Sequence, residues 1–212
     1  MTIFDVLFLV SVLGCVLALV AALVALVFHR RLAARRLALT LGSYLLLYAL
    51  TLASVGALSP QQTMVMGQTR CFDDWCIAVA HAVQRSSLDA SPTLAPNGRF
   101  TIVTVRVSSR AKRISQRELD TQLYLVDGAG RRYDVAAAAQ RALDAAGQGG
   151  QPLTTELAPG ASFTHTVAFD TPIGASRLAL IVTHSAFPGA LIIGSDQSPF
   201  HRPTLMLLSG VA

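Results

Sequence analysis

Two long runs of apolar residues open the chain. From Ile3 to Phe28 every position is apolar or small and uncharged except Asp5 near the start. A helix of that composition is apolar on all sides, and at 1.5 Å per residue it is long enough to cross a hydrocarbon layer of about 30 Å with some tilt. Leu37 to Leu58 forms a second such run, whose polar members Thr40, Ser43, Thr51 and Ser54 are types that a membrane helix tolerates. Tyr44 and Tyr48 lie one turn apart, positioned to pack against the first helix. The link between the runs, His29 to Arg36, is short enough to force an antiparallel pair. The pattern predicts a transmembrane hairpin with helices over 3–28 and 37–58.

Past Pro60 the hydrophobic period falls to two. Phe100-Thr-Ile-Val-Thr-Val-Arg-Val-Ser108 alternates and is rich in β-branched residues, as a strand with one buried face must be. Thr121 to Val126 and Arg131 to Val135 flank Asp127-Gly-Ala-Gly130, which predicts a β-hairpin. Further strands are expected at 77–83, 161–169, 177–183, 190–193 and 204–208. Seven or eight short strands separated by turn signals indicate a β-sandwich. One segment breaks the pattern: the alanine-rich stretch 136–146, ended by Gly147, predicts a short helix. The chain thus divides into a hairpin over 1–58, a linker over 59–69 and a β-sandwich over 70–212.

Charge sets the orientation. Only 14% of residues are charged, against roughly 25% in a typical soluble domain. Residues 1–58 hold one acid, Asp5, and four bases, Arg30, Arg31, Arg35 and Arg36, all in the link. Basic residues in short loops stay cytoplasmic, so the link is expected inside and both chain ends outside. Away from this region the net charge is near +2, with arginines interleaved among acids. No basic face of the kind that nucleic acid needs is present in the pattern, and that partner is not expected. A cleaved signal is the competing reading of the second run, because a basic stretch precedes it and Val55-Gly56-Ala57 has cleavage-site character. The length of the helix argues against it.

Much of 70–208 resembles the bacterial extracellular immunoglobulin-like family that includes secreted mycobacterial antigens and many lipoproteins. The resemblance rests on Arg99-Phe-Thr-Ile-Val-Thr-Val-Arg-Val-Ser-Ser109, on Leu123-Tyr-Leu-Val-Asp-Gly-Ala-Gly-Arg-Arg-Tyr-Asp-Val135, and on Leu157-Ala-Pro-Gly160 leading to Phe169-Asp-Thr-Pro172. It implies an immunoglobulin-like β-sandwich with binding or envelope roles, and it supplies no catalytic residues. With the arginine pattern it implies a bacterial cytoplasmic membrane protein whose C-terminal domain lies outside the cytoplasm.

Cys71-Phe-Asp-Asp-Trp-Cys76 is the most distinctive motif. In an oxidising compartment such a pair forms a disulfide, and Asp73-Asp74 suit the tight turn that closure requires. The spacing differs from the Cys-x-x-Cys of thioredoxin-type redox centres. The layout of two helices and an outer β-domain also resembles cytochrome oxidase subunit II, a copper protein. That family's Cys-x3-Cys pair lies near the end of its domain, not at its start. His81, His165, His184 and His201 share no metal-ligand spacing. Cys15, inside the first apolar run, reads as a small buried hydrophobe. No Gly-x-Ser-x-Gly elbow occurs, and Asp73 and Asp74 are adjacent and do not converge as paired catalytic carboxylates would. Catalytic, cofactor and metal residues are therefore not assigned. Phe200, His201 and Arg202, in the polar stretch 194–203, are candidate partner contacts.

These features point to a non-enzymatic accessory or binding subunit that docks on a membrane or envelope protein. Ala53, Gly56, Tyr44 and Tyr48 would offer the helical docking surface. A copper-handling or electron-transfer subunit and a small-ligand sensor are the alternatives. The topology is testable by labelling cysteines engineered in intact cells. A membrane-impermeant reagent is expected to reach positions in 140–150 and to miss those in 30–36; the opposite pattern overturns the orientation.

Overall fold

The computed structural model describes residues 3–89, 91, 94–184 and 188–209. Two compact units emerge. One comprises the N-terminal residues through Gln61 together with the described part of a returning segment that ends at Pro203. The other runs from Gln62 to His184 and resumes at Thr204.

The first unit is built on two helices, α1 (Ile3–Val27) and α2 (Arg31–Leu58), both long and apolar enough to cross a membrane. The link is shorter than the arginine run suggested. Arg31, Arg35 and Arg36 lie within α2, because arginine is a good helix former and nothing in the run halts the helix. α1 ends in a Schellman arrangement, with Arg30 N–H donating to Ala25 O (2.8 Å) and His29 N–H to Leu26 O (3.0 Å). His29 takes the left-handed position at φ 55°, which glycine usually fills. The hydroxyls inside the helices find acceptors one turn back: Ser11 donates to Leu7 O, Thr40 to Leu37 O and Thr51 to Leu47 O. Between the helices, the Tyr44 hydroxyl donates to Ser11 Oγ at 2.6 Å.

Residues 190–193, expected as a strand, are not one. Gly189–Leu191 forms a 3-10 turn in the segment that returns to the hairpin. Its apolar run reads equally well as a strand by composition, but its packing partner is a helix and not a sheet edge. Tyr48 OH donates to Leu191 O at 2.6 Å, and Gln61 Nε2 donates to Pro203 O at 3.0 Å. Gly56 faces the Pro199 backbone so closely that a Cβ there would collide with it.

The second unit is a β-sandwich with nine strands among the described residues. One sheet orders β2 (Thr69–Phe72), β3 (Trp75–Arg85), β4 (Arg99–Ser109) and β7 (Ser162–Thr171), all antiparallel. The other orders β1 (Thr63–Met64), β9 (Leu205–Leu207), β8 (Ala179–Thr183), β5 (Gln122–Val126) and β6 (Arg132–Tyr133). β1 pairs parallel with β9, and the rest of that sheet is antiparallel. The expected linker over 59–69 therefore contains a strand, and β2 begins at its end. Two residues of backbone pairing carry no periodic signal, so β1 was not visible in the sequence.

The inward positions of both sheets meet in one core. Trp75, Ile77, Val79, Val103, Val105, Val107, Val167 and Phe169 face Leu123, Leu125, Leu180, Val182 and Met206. The predicted helix is present as α3 (Ala137–Ala145). Its Ala139 and Leu143, one turn apart, bury against Phe100 and Ala168, on the opposite face of β4 and β7 from the main core.

The β5–β6 hairpin is organised by one carboxylate. Asp127, 6% exposed, accepts from the backbone N–H of Ala129 and Arg131 (2.9 Å each), from Arg131 Nε (2.7 Å) and from the Tyr133 hydroxyl (2.9 Å). Gly130 at φ 80° completes a type of tight turn in which a left-handed residue follows the bend. Burial alone would raise the Asp127 carboxyl. The hydrogen bonds from Arg131 N–H, the Tyr133 hydroxyl, the Arg131 guanidinium and Ala129 N–H outweigh it and bring the group from 3.8 to about 2. A carboxyl lowered on folding contributes stability that is complete above its unfolded value and is lost as pH falls through its folded value. Thermal melting of the full chain in detergent is therefore expected to drop between pH 3.8 and about 2. In Asp127→Asn the melting midpoint should be lower at neutral pH and its acid slope shallower. An unchanged slope removes this carboxylate from the account.

Candidate functional site

Three places carry chemistry. The first is the cysteine hairpin. Phe72 pairs with Trp75 and Cys71 with Cys76, so Asp73 and Asp74 form a two-residue turn, with Asp73 at φ 58°. Next to the closing pair of such a turn comes a non-hydrogen-bonded pair, where facing strands approach most closely. The cysteines occupy that pair: their Cα atoms are 3.9 Å apart and their sulfurs are bonded at 2.08 Å. Bonded sulfurs offer no thiolate to a metal. Beside this clamp Phe72 packs on Trp75, with ring centroids 6.1 Å apart, and on the His184 ring at 4.2 Å. Arg70 lies over the Phe72 ring at 4.4 Å. The arrangement is a packed aromatic cluster rather than a reactive centre.

The second is a cavity of about 370 Å³ at the edge of the sandwich, where β6 of one sheet nears β7 of the other. Val135 bridges Phe169, and Gly150 bridges His165. Between these bridges Gln140 of α3 completes the edge: its Nε2 donates to Thr166 O (3.0 Å) and its Oε1 accepts from Ala168 N–H (3.2 Å). Gly150 has to be glycine, at φ 71° and with the Thr164 carbonyl where a Cβ would sit. The cavity floor is Leu123, Leu153 and Val167, and its polar rim includes Thr121, Arg132 and His165. His165 Nδ1 and Thr121 Oγ1 are buried and have no hydrogen-bond partner. Burial pushes the His165 imidazole below its usual range, against the pull of the Gln151 and Gly149 carbonyls and Asp144. Arg132 is held by Asp134 (Nε to Oδ1, 2.8 Å) and lies 3.9 Å over the Tyr124 ring.

The third is a groove of about 650 Å³ along the hairpin. Ser11, Gly14, Cys15 and Ala18 of α1 line one wall, and Leu41, Tyr44 and Tyr48 of α2 the other. Cys15 is half-buried here as a small wall residue. The small side chains leave room that Tyr44 and Tyr48 do not fill.

The structure separates the other residues singled out by sequence. His81 pairs with Thr104, and His165 with Val105, so the two point to opposite faces of one sheet. Among the described residues no three His, Cys, Asp or Glu side chains form a metal-binding group. Gly56, expected on the docking surface, is buried beneath Pro199. Tyr44 and Tyr48 are tied within their own unit. Phe200, His201 and Arg202 belong to the returning segment on the hairpin, and Phe200 is 74% exposed at φ 66°. The roles of Gln140 and of the β7 edge had no sequence signal, because each depends on a bridge between distant segments.

A family profile described as "Domain of unknown function (DUF4352)" matches residues 66–191, more than half of the chain. No curated protein matches it. Among solved structures, a conserved hypothetical protein from Bacillus anthracis aligns at 14% identity and TM-score 0.43, over 56% of this chain and 89% of that one. The secreted protein MPT63 from Mycobacterium tuberculosis aligns at 14% identity and TM-score 0.42, over 60% of this chain and 92% of that one. An uncharacterised β-sandwich protein from Clostridium difficile aligns at 11% identity and TM-score 0.42, over 71% of this chain and 96% of that one.

The cysteine clamp is checked by intact mass. Alkylation without reductant is expected to leave Cys71 and Cys76 unmodified, and with reductant to label both. In the chain-entropy model a loop this short stabilises by about 2 kcal/mol, so Cys71→Ser with Cys76→Ser should lower stability by about that amount. Two free thiols in the purified protein would rule the clamp out.

Proposed function

The chain belongs to the DUF4352 family, and from that premise we propose that it is a non-enzymatic accessory subunit that docks on another membrane or envelope protein. Its hairpin spans the bacterial cytoplasmic membrane, with Arg30, Arg31, Arg35 and Arg36 at the cytoplasmic end and the β-sandwich outside. The length and apolarity of α1 and α2 support the span, as does the exposure of nearly every large side chain on α1. Arginine placement supports the direction.

The observation that carries the docking is the hairpin groove. A tether needs one helix. Here two helices leave a groove walled by Ser11, Gly14, Cys15 and Ala18, the small residues that let another helix approach closely. The occupant is a transmembrane helix of the partner.

A second reading has its own observation. The edge cavity presents two unpartnered buried polar atoms, His165 Nδ1 and Thr121 Oγ1, above an apolar floor. A small, partly polar envelope molecule fits that chemistry, and the subunit would then sense as well as dock.

Gly14 offers the cleanest test of docking, because it lines the groove and a Cβ added there meets nothing within 4 Å. Purification in mild detergent followed by mass spectrometry is expected to recover a membrane protein with the wild-type chain. Gly14→Leu should lose that protein while keeping its melting midpoint. Recovery of the wild-type chain alone, or of the same partner with Gly14→Leu, overturns groove docking.

A further inference from the structure

The connection between β8 and β9 leaves the sandwich unit and joins the hairpin unit. Its described part, 188–203, has two halves of opposite character. Pro188-Gly-Ala-Leu-Ile-Ile-Gly194 is wholly apolar, whereas Ser195-Asp-Gln-Ser-Pro-Phe-His-Arg202 is mostly polar. The halves meet α2 at different heights. Leu191 O accepts from Tyr48, and the Pro199 backbone rests on Gly56, two residues before the end of α2 at Leu58. Ile193 also lines the hairpin groove near Leu7, Val10 and Ser11 of α1. Tyr48 and Gly56 are eight residues apart, or about 12 Å along a helix, which is most of one leaflet of a ~30 Å hydrocarbon core.

We propose that this connector is a membrane segment in contact with lipid, with 188–193 dipping into the acyl chains of the outer leaflet and 195–202 lying among the headgroups. The proposal rests on the reading of the hairpin as membrane-spanning. Polarity along the connector follows depth: its apolar half lies at the deeper contact and its polar half at the shallower one. A separate observation is that part of the connector's backbone is partnered within the protein. Irregular backbone is tolerated at membrane depth only where its polar groups are satisfied by protein. Here Leu191 N–H donates to Pro188 O (2.9 Å), Ile192 N–H to Gly189 O (3.1 Å) and Ser195 N–H to Ile192 O (3.2 Å), and the Tyr48 hydroxyl serves Leu191 O. A Tyr hydroxyl supplied by the helix does for this loop what water would do elsewhere.

The outward side chains suit lipid. Leu191 is 43% and Phe200 74% exposed, so neither packs fully on the hairpin. Phe200 stands at φ 66°, a conformation that a bulky side chain rarely adopts, and it projects from the polar half. Arg202 follows two residues later in the same polar half, and a long basic side chain at this level can extend its charged end towards the headgroups.

Depth-dependent quenching decides the matter. Leu191→Trp, Phe200→Trp and, as a hairpin control, Leu46→Trp are made in the full chain and reconstituted in phosphatidylglycerol–phosphatidylcholine vesicles. The signal of native Trp75, buried in the sandwich core, is subtracted using the wild-type protein. Lipids carry bromine near the glycerol or deep in the chains. Tryptophan at 191 is expected to emit blue-shifted light, to lose most of it to brominated chains and to resist iodide. Tryptophan at 200 should respond most to bromine near the glycerol. If position 46 is quenched by lipid while 191 and 200 are quenched only by iodide, the connector lies in water and the proposal falls alone. If 191 and 200 are shielded from both quenchers, protein covers them and the lipid assignment is wrong. If position 46 also escapes lipid quenching, the membrane-spanning hairpin fails, and the connector proposal with it.

Discussion

The constraint on which the structure depends is that every backbone N–H and C=O removed from water must find a partner. Each part of the chain meets it differently. The two helices satisfy themselves internally, and the hydroxyls of Ser11, Thr40 and Thr51 turn back on the preceding turn. The sandwich pairs strands across two sheets, which leaves edges to be closed. At β7 that closure is made piecemeal, by the Val135 and Gly150 bridges and by the Gln140 side chain between them. One amide side chain acting as both donor and acceptor thus substitutes for a missing stretch of strand, and it also fixes α3 against the sheet.

Closing the edge in this way leaves a cavity. Side chains that fill the middle of the sandwich, such as Phe169 and Leu125, are fully buried, whereas His165 and Thr121 at the margin bury polar atoms without partners. Burial there pushes the imidazole below its usual range, because it disfavours the charged form. At the neighbouring hairpin the balance runs the other way. Asp127 is more enclosed than His165, yet four donors converge on it and bring its carboxyl to about 2. Enclosure alone therefore does not fix the protonation state. The number of aligned donors does.

The cysteine clamp illustrates how local geometry sets chemistry. A two-residue turn places Cys71 and Cys76 at the closest approach of two strands, and the bond they form fixes the start of the first sheet. The rings of Phe72, Trp75 and His184 pack beside it.

Much of this was legible in the amino-acid sequence. Long, mainly apolar runs over 3–28 and 37–58 predict a pair of long helices, and alternation at 100–108 and 161–169 predicts strands, because side-chain period follows directly from backbone geometry; the burial of Phe100 and Ala168 under α3 on the second face is a tertiary addition. The cysteine turn and the short helix after Val135 were visible for the same local reason. Tertiary structure decided what local pattern does not encode. Residues 190–193 are as β-prone as a strand, yet they lie against α2, where the Tyr48 hydroxyl donates to Leu191 O, a partner that no sequence window contains. Thr63–Met64 becomes a strand only because β9 lies beside it. Three of the four arginines that marked the link, Arg31, Arg35 and Arg36, belong to α2, since helix continuation depends on the next turn and not on charge. Periodicity is a property of one segment and can be read from it; a partner across space belongs to two, and only the folded chain brings them together.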